Sequence, residues 1–278
     1  GSREHDPSWS PDGKSIAWFS DANGEYSLMI GQPDGLSTPR EIKIPHPSFY
    51  YAPVWSPDSK WLAFTDHIQQ LWMTEIASGK TTLIDRDAFL HPERTINPVW
   101  SPDSKWIAYA KRLPSQFHVI MAFEVAKAKG LQLTDGMSDA VSPAWDASGK
   151  YLYFLASTNF ALASGWLDMS AYEKPTRRAV YLMVLKKGEP SPLLPESDEE
   201  KADTTAAAKP EEKSTAKKDS KKDTKKAAEK TAADSPKVSV QIDYDGLSQR
   251  ILSLGMPERN YGDLKSGAEG ELFINEYV

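Results

Sequence analysis

The strongest constraint on the fold is a short motif that returns at a fixed interval along the chain. Trp-Ser-Pro-Asp-Ser-Lys occurs identically at 55–60 and 100–105, and the copy at 9–14 differs only by Gly in place of the second Ser. A fourth copy, at 145–150, keeps the Trp, the Gly and the Lys. The repeats therefore start at four tryptophans, Trp9, Trp55, Trp100 and Trp145, which lie 46, 45 and 45 residues apart. A period in the range of about 40 to 50 residues is typical of solenoids and propellers.

Each repeat carries the pattern of a small antiparallel sheet. A proline stands two residues before each Trp, where we expect it to begin a short first strand, because proline donates no ladder hydrogen bond. The Trp ends this strand, and Ser-Pro-Asp then favours a tight turn in which Pro presets φ and Asp bonds the main chain. Apolar second strands are predicted at 16–19, 62–65, 107–110 and 152–155. Third strands are predicted at 26–30, 70–76, 119–125 and 180–185, and fourth strands at 40–44, 81–84 and 131–133.

This arrangement predicts an all-β fold. Four antiparallel strands in each 45-residue repeat, without helical periodicity, describe the blade of a β-propeller. The alternative, a four-stranded meander inside a β-sandwich, is disfavoured by identical turns at a constant period. We expect about four complete blades and part of a fifth, which form an incomplete ring. Such a ring leaves open sheet edges and apolar blade faces, so it predicts that the chain alone aggregates or closes only loosely.

Two interruptions divide the chain. Residues 158–178 enter the fourth blade between its second and third strands, and their apolar content predicts a local cap on the blade; a lid or a contact with another domain is the alternative. Residues 196–237 consist almost entirely of Lys, Glu, Asp, Ala, Ser and Thr, and this composition predicts disorder. We therefore expect propeller blades over 1–195, a disordered insertion over 196–237, and a last segment, 238–278, that completes the fourth blade and starts a fifth.

The last segment is predicted to contain four strands. Strands at 238–242 and 250–254 are expected to close the fourth blade, and those at 260–264 and 271–274 to open the fifth.

Composition and charge exclude several functions. The net charge of −6 argues against a nucleic-acid partner, since such proteins usually carry a basic field. No apolar run approaches the roughly 18 residues of a membrane span, so no membrane partner is expected. The absence of cysteine excludes disulfides and thiol ligands but does not choose between cytoplasm and periplasm. The chain starts without Met and without an apolar leader, and we expect it to begin inside a longer protein.

No catalytic or metal-binding motif is evident. Gly-x-Ser-x-Gly and His-Glu-x-x-His are both absent. Asp243-x-Asp245-Gly246 hints at a calcium loop, but the glycine comes too early and Leu254 occupies the twelfth position. The histidines are scattered: His5, His46, His67, His91 and His118. The sequence thus predicts no catalytic residue, no metal and no cofactor, and it leaves the substrate-binding residues unassigned.

The repeat resembles a known group of propellers. Pro-x-Trp-Ser-Pro-Asp-Gly-Lys is similar to the WD-like repeat of the periplasmic Tol propeller protein, of prolyl-oligopeptidase-type propellers and of tricorn proteases. The second half of the chain is more specific. Gly-Trp-Leu-Asp-Met-Ser at 165–170, Pro-Ser-Pro-Leu at 190–193, and Ile-Asp-Tyr-Asp-Gly-Leu at 242–247, followed by Arg250 and Asn260-Tyr261, resemble bacterial tricorn-like proteases in this order.

The resemblance implies a function for the whole protein. Tricorn-like proteases carry two N-terminal propellers, then a PDZ-like domain and a serine-protease core, and they degrade oligopeptides. This chain resembles consecutive blades of the second propeller, which would act as scaffold and peptide channel. None of the family's catalytic serine, histidine or glutamate motifs has a match here, so the chain alone is expected to be inactive. An interaction propeller of the Tol type and a prolyl-oligopeptidase-like propeller remain the alternatives.

The resemblance also implies partners and a location. Peptide substrates would reach the full-length enzyme, which would be a homo-oligomer, a hexamer in the archaeal founder of the family. A cytoplasmic location is implied, and a periplasmic one stays open because the true N-terminus is missing.

Overall fold

A computed structural model describes residues 1–90, 96–159, 176–194 and 238–278. Within these ranges the chain is all β apart from one 3-10 helix, Leu247–Arg250. Four four-stranded antiparallel sheets and one two-stranded sheet follow each other, without a closed barrel, and confirm the predicted fold class. No helix in the described part of the chain has the length and apolarity to cross a membrane.

The strands of each sheet are consecutive in sequence, and the four larger sheets are blades 1 to 4. Blade 1 contains β1 (Glu4–Trp9), β2 (Ile16–Ser20), β3 (Ser27–Gly31) and β4 (Arg40–Ile42). Blade 2 contains β5 (Tyr50–Trp55), β6 (Trp61–Asp66), β7 (Gln70–Glu75) and β8 (Thr81–Arg86). Blade 3 contains β9 (Val99–Trp100), β10 (Trp106–Arg112), β11 (His118–Glu124) and β12 (Lys129–Gln132). Blade 4 contains β13 (Asp139–Trp145), β14 (Tyr151–Ser157), β15 (Ala179–Val184) and β16 (Ile251–Ser253). The two-stranded sheet, blade 5, contains β17 (Tyr261–Ser266) and β18 (Leu272–Glu276).

The chain forms two compact units. One comprises Gly1–Glu189 with Val238–Val278, and it holds all five blades. The other is Pro190–Lys237, of which residues 190–194 are described; they contain a turn in which the Leu194 N–H donates to the Ser191 carbonyl. The predicted insertion at 158–178 falls largely, and the predicted disorder at 196–237 entirely, outside the described residues.

The prolines before the repeat tryptophans correct one prediction. In blades 1, 2 and 4 the proline lies inside the first strand, at a β-bulge, and not at the start of the strand. The pairing register shifts between His5 and Ser8, between Tyr51 and Val54, and between Val141 and Ala144. A bulge leaves one residue unpaired, so the missing N–H of proline breaks no ladder bond there. Only Pro98, directly before β9, stands where the prediction placed it.

The predicted strand at 238–242 is also wrong. This segment belongs to no strand, and the outer edge of blade 4 is completed by β16, which pairs with β15. The Val240 N–H instead donates to Asp103 Oδ2 in the turn of blade 3, at 2.9 Å. The apolar side chain of Val240 is buried in the core between blades 3 and 4.

The blades stack face to face around an axis. First strands of successive blades contact one another at β1 and β5, at β9 and β13, and at β13 and β17, which places the first strands nearest the axis. The hydrophobic core lies between blades, where the face that carries the repeat Trp, called the Trp face here, packs on the opposite face of the preceding blade. At the first such interface Trp55, Leu62 and Phe64 of blade 2 pack on Phe19 and Leu28 of blade 1.

Candidate functional site at the axis of the blades

The repeat tryptophans join neighbouring blades by an identical hydrogen bond. Each indole Nε1 donates to the main-chain carbonyl of the residue that precedes the Trp of the blade before it. The three bonds are Trp55 to Ser8 at 3.1 Å, Trp100 to Val54 at 3.0 Å and Trp145 to Val99 at 3.1 Å. Because the only polar atom of each indole is used in this way, the rings present carbon surface to the axis.

The turn after each Trp is held by its own Ser and Asp. In blade 2, Ser56 Oγ donates to Asp58 Oδ1 at 2.6 Å and accepts from the Trp61 N–H at 3.0 Å, while Asp58 Oδ1 accepts from the Lys60 N–H at 3.1 Å. The same bonds recur in blades 1 and 3. These aspartates are therefore turn formers.

The turns are also joined to one another. Ser59 Oγ of blade 2 accepts from the Asp12 N–H of blade 1 at 3.2 Å, and Ser104 Oγ of blade 3 accepts from the Asp58 N–H at 3.0 Å. These links and the indole bonds fix the turns side by side at one end of the axis.

An open cavity of about 610 Å³ lies at this end of the axis. Its volume is in the usual range of ligand pockets. All five blades contribute to the lining, with Pro11, Trp55, Trp100, Trp145, Leu264 and Lys265 among its residues. The sequence did not reveal these residues as a site, because the repeat does not show which strand of a blade lies innermost.

The lining is largely apolar and contains few free polar groups. Asp146 is fully buried, and its Oδ2 accepts from the Gly270 N–H at 2.9 Å. Lys265 is exposed and is the only cation among the described lining residues. The described lining contains no histidine. Such a cavity can hold or guide an apolar chain.

Comparison with known families decides between the propeller types that the sequence resembles. The family model described as "Tricorn protease second beta propeller domain" matches residues 1–277. The chain belongs to the tricorn second-propeller family. This assignment confirms the resemblance to tricorn-like proteases. It favours neither the Tol-type interaction propeller nor the prolyl-oligopeptidase-like propeller.

Solved structures show the same fold. The tricorn second-propeller domain is similar to the crystal structure of the tricorn protease, with a TM-score of 0.62 and 15% identity over 91% of this chain and 21% of that chain. The chain thus spans about a fifth of the length of that protein, and at this identity the likeness shows the fold alone. Comparison with curated proteins yields no match.

Two other propellers are more distant. TolB from Acinetobacter baumannii is 16% identical, with a TM-score of 0.43 over 64% of this chain and 41% of that chain. The β-propeller domain of the Trilobed protease from Pyrococcus furiosus is 14% identical, with a TM-score of 0.43 over 65% of this chain and 54% of that chain. TM-scores this low support no conclusion about function.

A buried polar cluster in the tricorn second-propeller domain escaped the sequence prediction. Asp139 Oδ1, fully buried, lies 2.6 Å from His118 Nδ1 and accepts from the His118 N–H at 2.9 Å. Its Oδ2 lies 3.5 Å from Arg178 Nη2. Burial alone would raise the pKa of Asp139, but the hydrogen bonds and charge of His118, together with Arg178, hold it below its ordinary value.

This cluster is not a catalytic triad. Among the described residues His118 Nε2, which is buried, has no hydrogen-bond partner, so none of their hydroxyl groups contacts the imidazole as a nucleophile would. The cluster instead connects β11, β13 and the residue before β15. No spacing in the sequence signals it, since the His and the Asp are 21 residues apart on different blades.

Three of the other histidines contact an aromatic ring or a serine hydroxyl. His5 contacts the ring of Tyr26, His46 contacts that of Trp72, and His67 Nδ1 lies 2.6 Å from Ser48 Oγ. His91 falls outside the described residues.

Among the residues that the structure describes, no cluster of three or more His, Asp or Glu could hold a metal ion. Asp243 accepts from the Lys187 N–H at 2.8 Å, and this bond, with one from Gln241, lowers the pKa of its carboxyl. Asp243 therefore stabilises a turn.

Proposed function

We propose that this domain is the second propeller of a tricorn-like serine peptidase, and that it guides peptides through its axial cavity without cutting them. The observation that carries the proposal is the cavity itself, which draws its walls from all five blades. We further propose that the longer protein degrades oligopeptides in the cytoplasm as a homo-oligomer, and that it has neither a nucleic-acid nor a membrane partner.

The chemistry of the lining suits passage better than tight binding. The indole N–H groups that face the axis are already bonded to main-chain carbonyls, and the prolines of the turns have no N–H to donate. A peptide would therefore meet carbon surface and few directional hydrogen bonds. Such a surface accepts many sequences, because apolar contact is non-directional. Lys265, on β17 of blade 5, would add an electrostatic bias toward acidic groups.

Narrowing the cavity in the longer protein tests this role. Ala147 lines the cavity in the turn of blade 4, and Ala147→Trp would place a large ring in the path. We expect kcat/KM for a fluorogenic oligopeptide to fall at least tenfold, or about 1.4 kcal/mol, while a short fluorogenic amide that fits without the channel is cleaved as before. Leu36→Trp is the control, since Leu36 is 90% exposed in a loop of blade 1.

Equal rates for Ala147→Trp and Leu36→Trp would contradict the channel role. The 278-residue chain alone should show no peptidase activity, because its described residues contain no catalytic constellation. Cleavage of the fluorogenic peptide by the purified chain, unchanged by removal of contaminating proteases, would contradict the division between propeller and catalytic domain.

A further inference from the structure

We propose that a cavity between blades 2 and 3, at the end opposite the Ser-Pro-Asp turns, binds a peptide from solution through an Asp or Glu side chain flanked by apolar residues. The strands β6 and β10 start beside those turns and end near this cavity, at Asp66 and Arg112. The inference depends neither on the axial channel nor on peptide cleavage.

The cavity has a volume of about 720 Å³ and two main walls. Blade 2 supplies one wall from the end of β8 and the residues that follow it, 85–90, and blade 3 supplies the other from residues 111–114. The two walls are joined where the Ala88 N–H donates to the Arg112 carbonyl at 3.4 Å. A cavity of this size can hold a small ligand or a few residues of a peptide.

The described lining carries more positive than negative charge. It includes three cations and two acids, namely Arg86, Lys111, Arg112, Asp85 and Asp87. Both acids are engaged within the protein. Asp85 Oδ1 lies 2.6 Å from Lys111 Nζ, and Asp87 Oδ1 accepts from the Arg112 N–H at 2.8 Å. The positive surplus occurs in a chain whose net charge is −6, and it favours an anionic ligand at this position.

Arg112 identifies the point at which the anion binds. The residue is 6% exposed, and none of the described residues accepts from its buried Nε. Its Nη1 lies 3.5 Å from Gln116 Oε1, at the limit of a hydrogen bond. A guanidinium stays charged and only donates, so its burial without an acceptor costs free energy, and the expected acceptor is an anionic oxygen.

Two more buried nitrogens without a partner lie beyond Arg112. His118 pairs with Arg112 across β10 and β11, so the two side chains share one face of blade 3. In the described chain neither His118 Nε2 nor Arg178 Nε has a hydrogen-bond partner. Asp139 lies between them, 2.6 Å from His118 Nδ1 and 3.5 Å from Arg178 Nη2. The charges of Asp139 and Arg178 cancel, so this cluster leaves the positive surplus at Arg112 in place.

Apolar side chains around the cavity narrow the class of anion. Ile68, Phe89 and Leu90 are 37%, 44% and 70% exposed, and they line the cavity together with Leu113 and Pro114. An inorganic anion would leave this surface in water, whereas a carboxylate side chain between apolar residues would cover it. The planar carboxylate also matches the donor fork of a guanidinium. The charge and the apolar surface together favour an acidic peptide with apolar neighbours.

Two blocked peptides test the proposal: acetyl-Leu-Glu-Leu-amide and acetyl-Leu-Gln-Leu-amide, which differ in one charge and carry no charged terminus. In titration calorimetry the 278-residue chain should bind the Glu peptide roughly tenfold more tightly, because charge-assisted hydrogen bonds are the stronger ones. Arg112→Gln should abolish this preference, and Arg112→Lys should keep part of it, since lysine keeps the charge but lacks the fork. Lys127→Gln is the control, because it removes the same charge from an exposed turn at the other end of blade 3.

A second variant, Arg86→Gln, keeps the test decisive if Arg112→Gln does not fold. Arg86 is exposed, and its replacement should weaken binding of the Glu peptide several-fold without changing that of the Gln peptide. Equal affinity of the wild type for the two peptides, or a preference that survives both substitutions, would overturn the proposal. Binding of inorganic phosphate that depends on Arg112, with neither peptide bound, would overturn it in favour of a small anion.

The longer protein should bind the Glu peptide as the 278-residue chain does. Loss of binding in the longer protein would overturn the proposal in favour of an acidic segment of that protein in the cavity. Binding is measured without cleavage, and Ala147→Trp at the axis should leave it unchanged. Failure of the channel role and failure of this site are therefore distinguishable.

Discussion

At the scale of single residues, the turns combine backbone strain with a bond between blades. Ser59 and Ser104 both have a φ of 60°, in the left-handed region that costs non-glycine residues roughly 1–2 kcal/mol. Gly13 and Gly149 occupy the equivalent positions in blades 1 and 4, with φ of 70° and 74°. In the two turns that carry serine, the Ser Oγ accepts from a main-chain N–H of the preceding turn. The hydrogen bond thus offsets a backbone conformation that glycine would adopt more easily.

Substitution of Ser104 should separate the backbone strain from the hydrogen bond between blades. Ser104→Ala keeps the strain and removes the acceptor of the Asp58 N–H, so we expect the free energy of unfolding to fall by about 1–2 kcal/mol. Ser104→Gly also removes the acceptor but relieves the strain, and its stability should lie between those of the wild type and the alanine variant. Urea unfolding followed by tryptophan fluorescence measures all three. A glycine variant less stable than the alanine variant would contradict the account.

At the scale of strands, the Asp139 cluster makes the contact between blades 3 and 4 dependent on pH. The folded state holds the pKa of Asp139 below its unfolded value. The stabilisation by the ionised carboxylate is therefore complete above the unfolded pKa of about 4 and is lost as pH falls through the lower folded pKa. The free energy of unfolding at neutral pH includes the contribution of the ionised Asp139 carboxylate, and this contribution is lost in acid.

Asp139→Asn should show this dependence directly. The variant loses the charge that His118 and Arg178 contact, and we expect its free energy of unfolding at pH 7 to be lower by about 2 kcal/mol. The wild type should lose more stability than the variant as the pH falls below about 4. Asp34→Asn, in an exposed turn, is the control. Parallel pH profiles for the wild type and Asp139→Asn would show that the carboxylate contributes nothing.

The strands were largely predictable from the sequence, whereas the axial site was not. Tight turns with Pro, Asp and Gly fix where a strand ends, so the second and third strands were placed to within about two residues. The bulges at Pro7, Pro53 and Pro143 escaped prediction because proline tolerates a bulge as well as a strand start. The cavity depends on which strands lie innermost and on Lys265, which belongs to no repeated pattern.

At the scale of the whole molecule, the chain leaves blade 4 before this blade is complete and returns later to finish it. Blade 4 takes its first three strands from residues before 190 and its fourth from residues 251–253. Arg250 secures the return of the chain, since its Nε donates to the Val184 carbonyl at 3.0 Å and its Nη1 to the Asp245 carbonyl at 2.8 Å. These bonds require only that the chain leaves after Glu189 and returns by Val238.

Replacement of residues 190–237 by a short Gly-Ser linker should therefore preserve the propeller. Glu189 bonds the side chain of Lys150 at 2.9 Å, and a Cβ on Gly149 would lie 2.9 Å from Val238, so both ends are near the same turn. A linker of about ten residues reaches roughly 30 Å, which is long enough to join Glu189 to Val238. We expect the melting temperature to change by no more than about 2 °C, since every described strand is kept.

A longer deletion, of residues 190–242, provides the matched control. It also removes Val240, which is 6% exposed and donates its N–H to Asp103. Burial of a valine contributes about 1.5–3 kcal/mol, so this variant should melt several degrees lower. If the shorter deletion melts as low as the longer one, residues 190–237 stabilise the propeller after all. If both melt like the wild type, the burial of Val240 contributes little to joining blades 3 and 4.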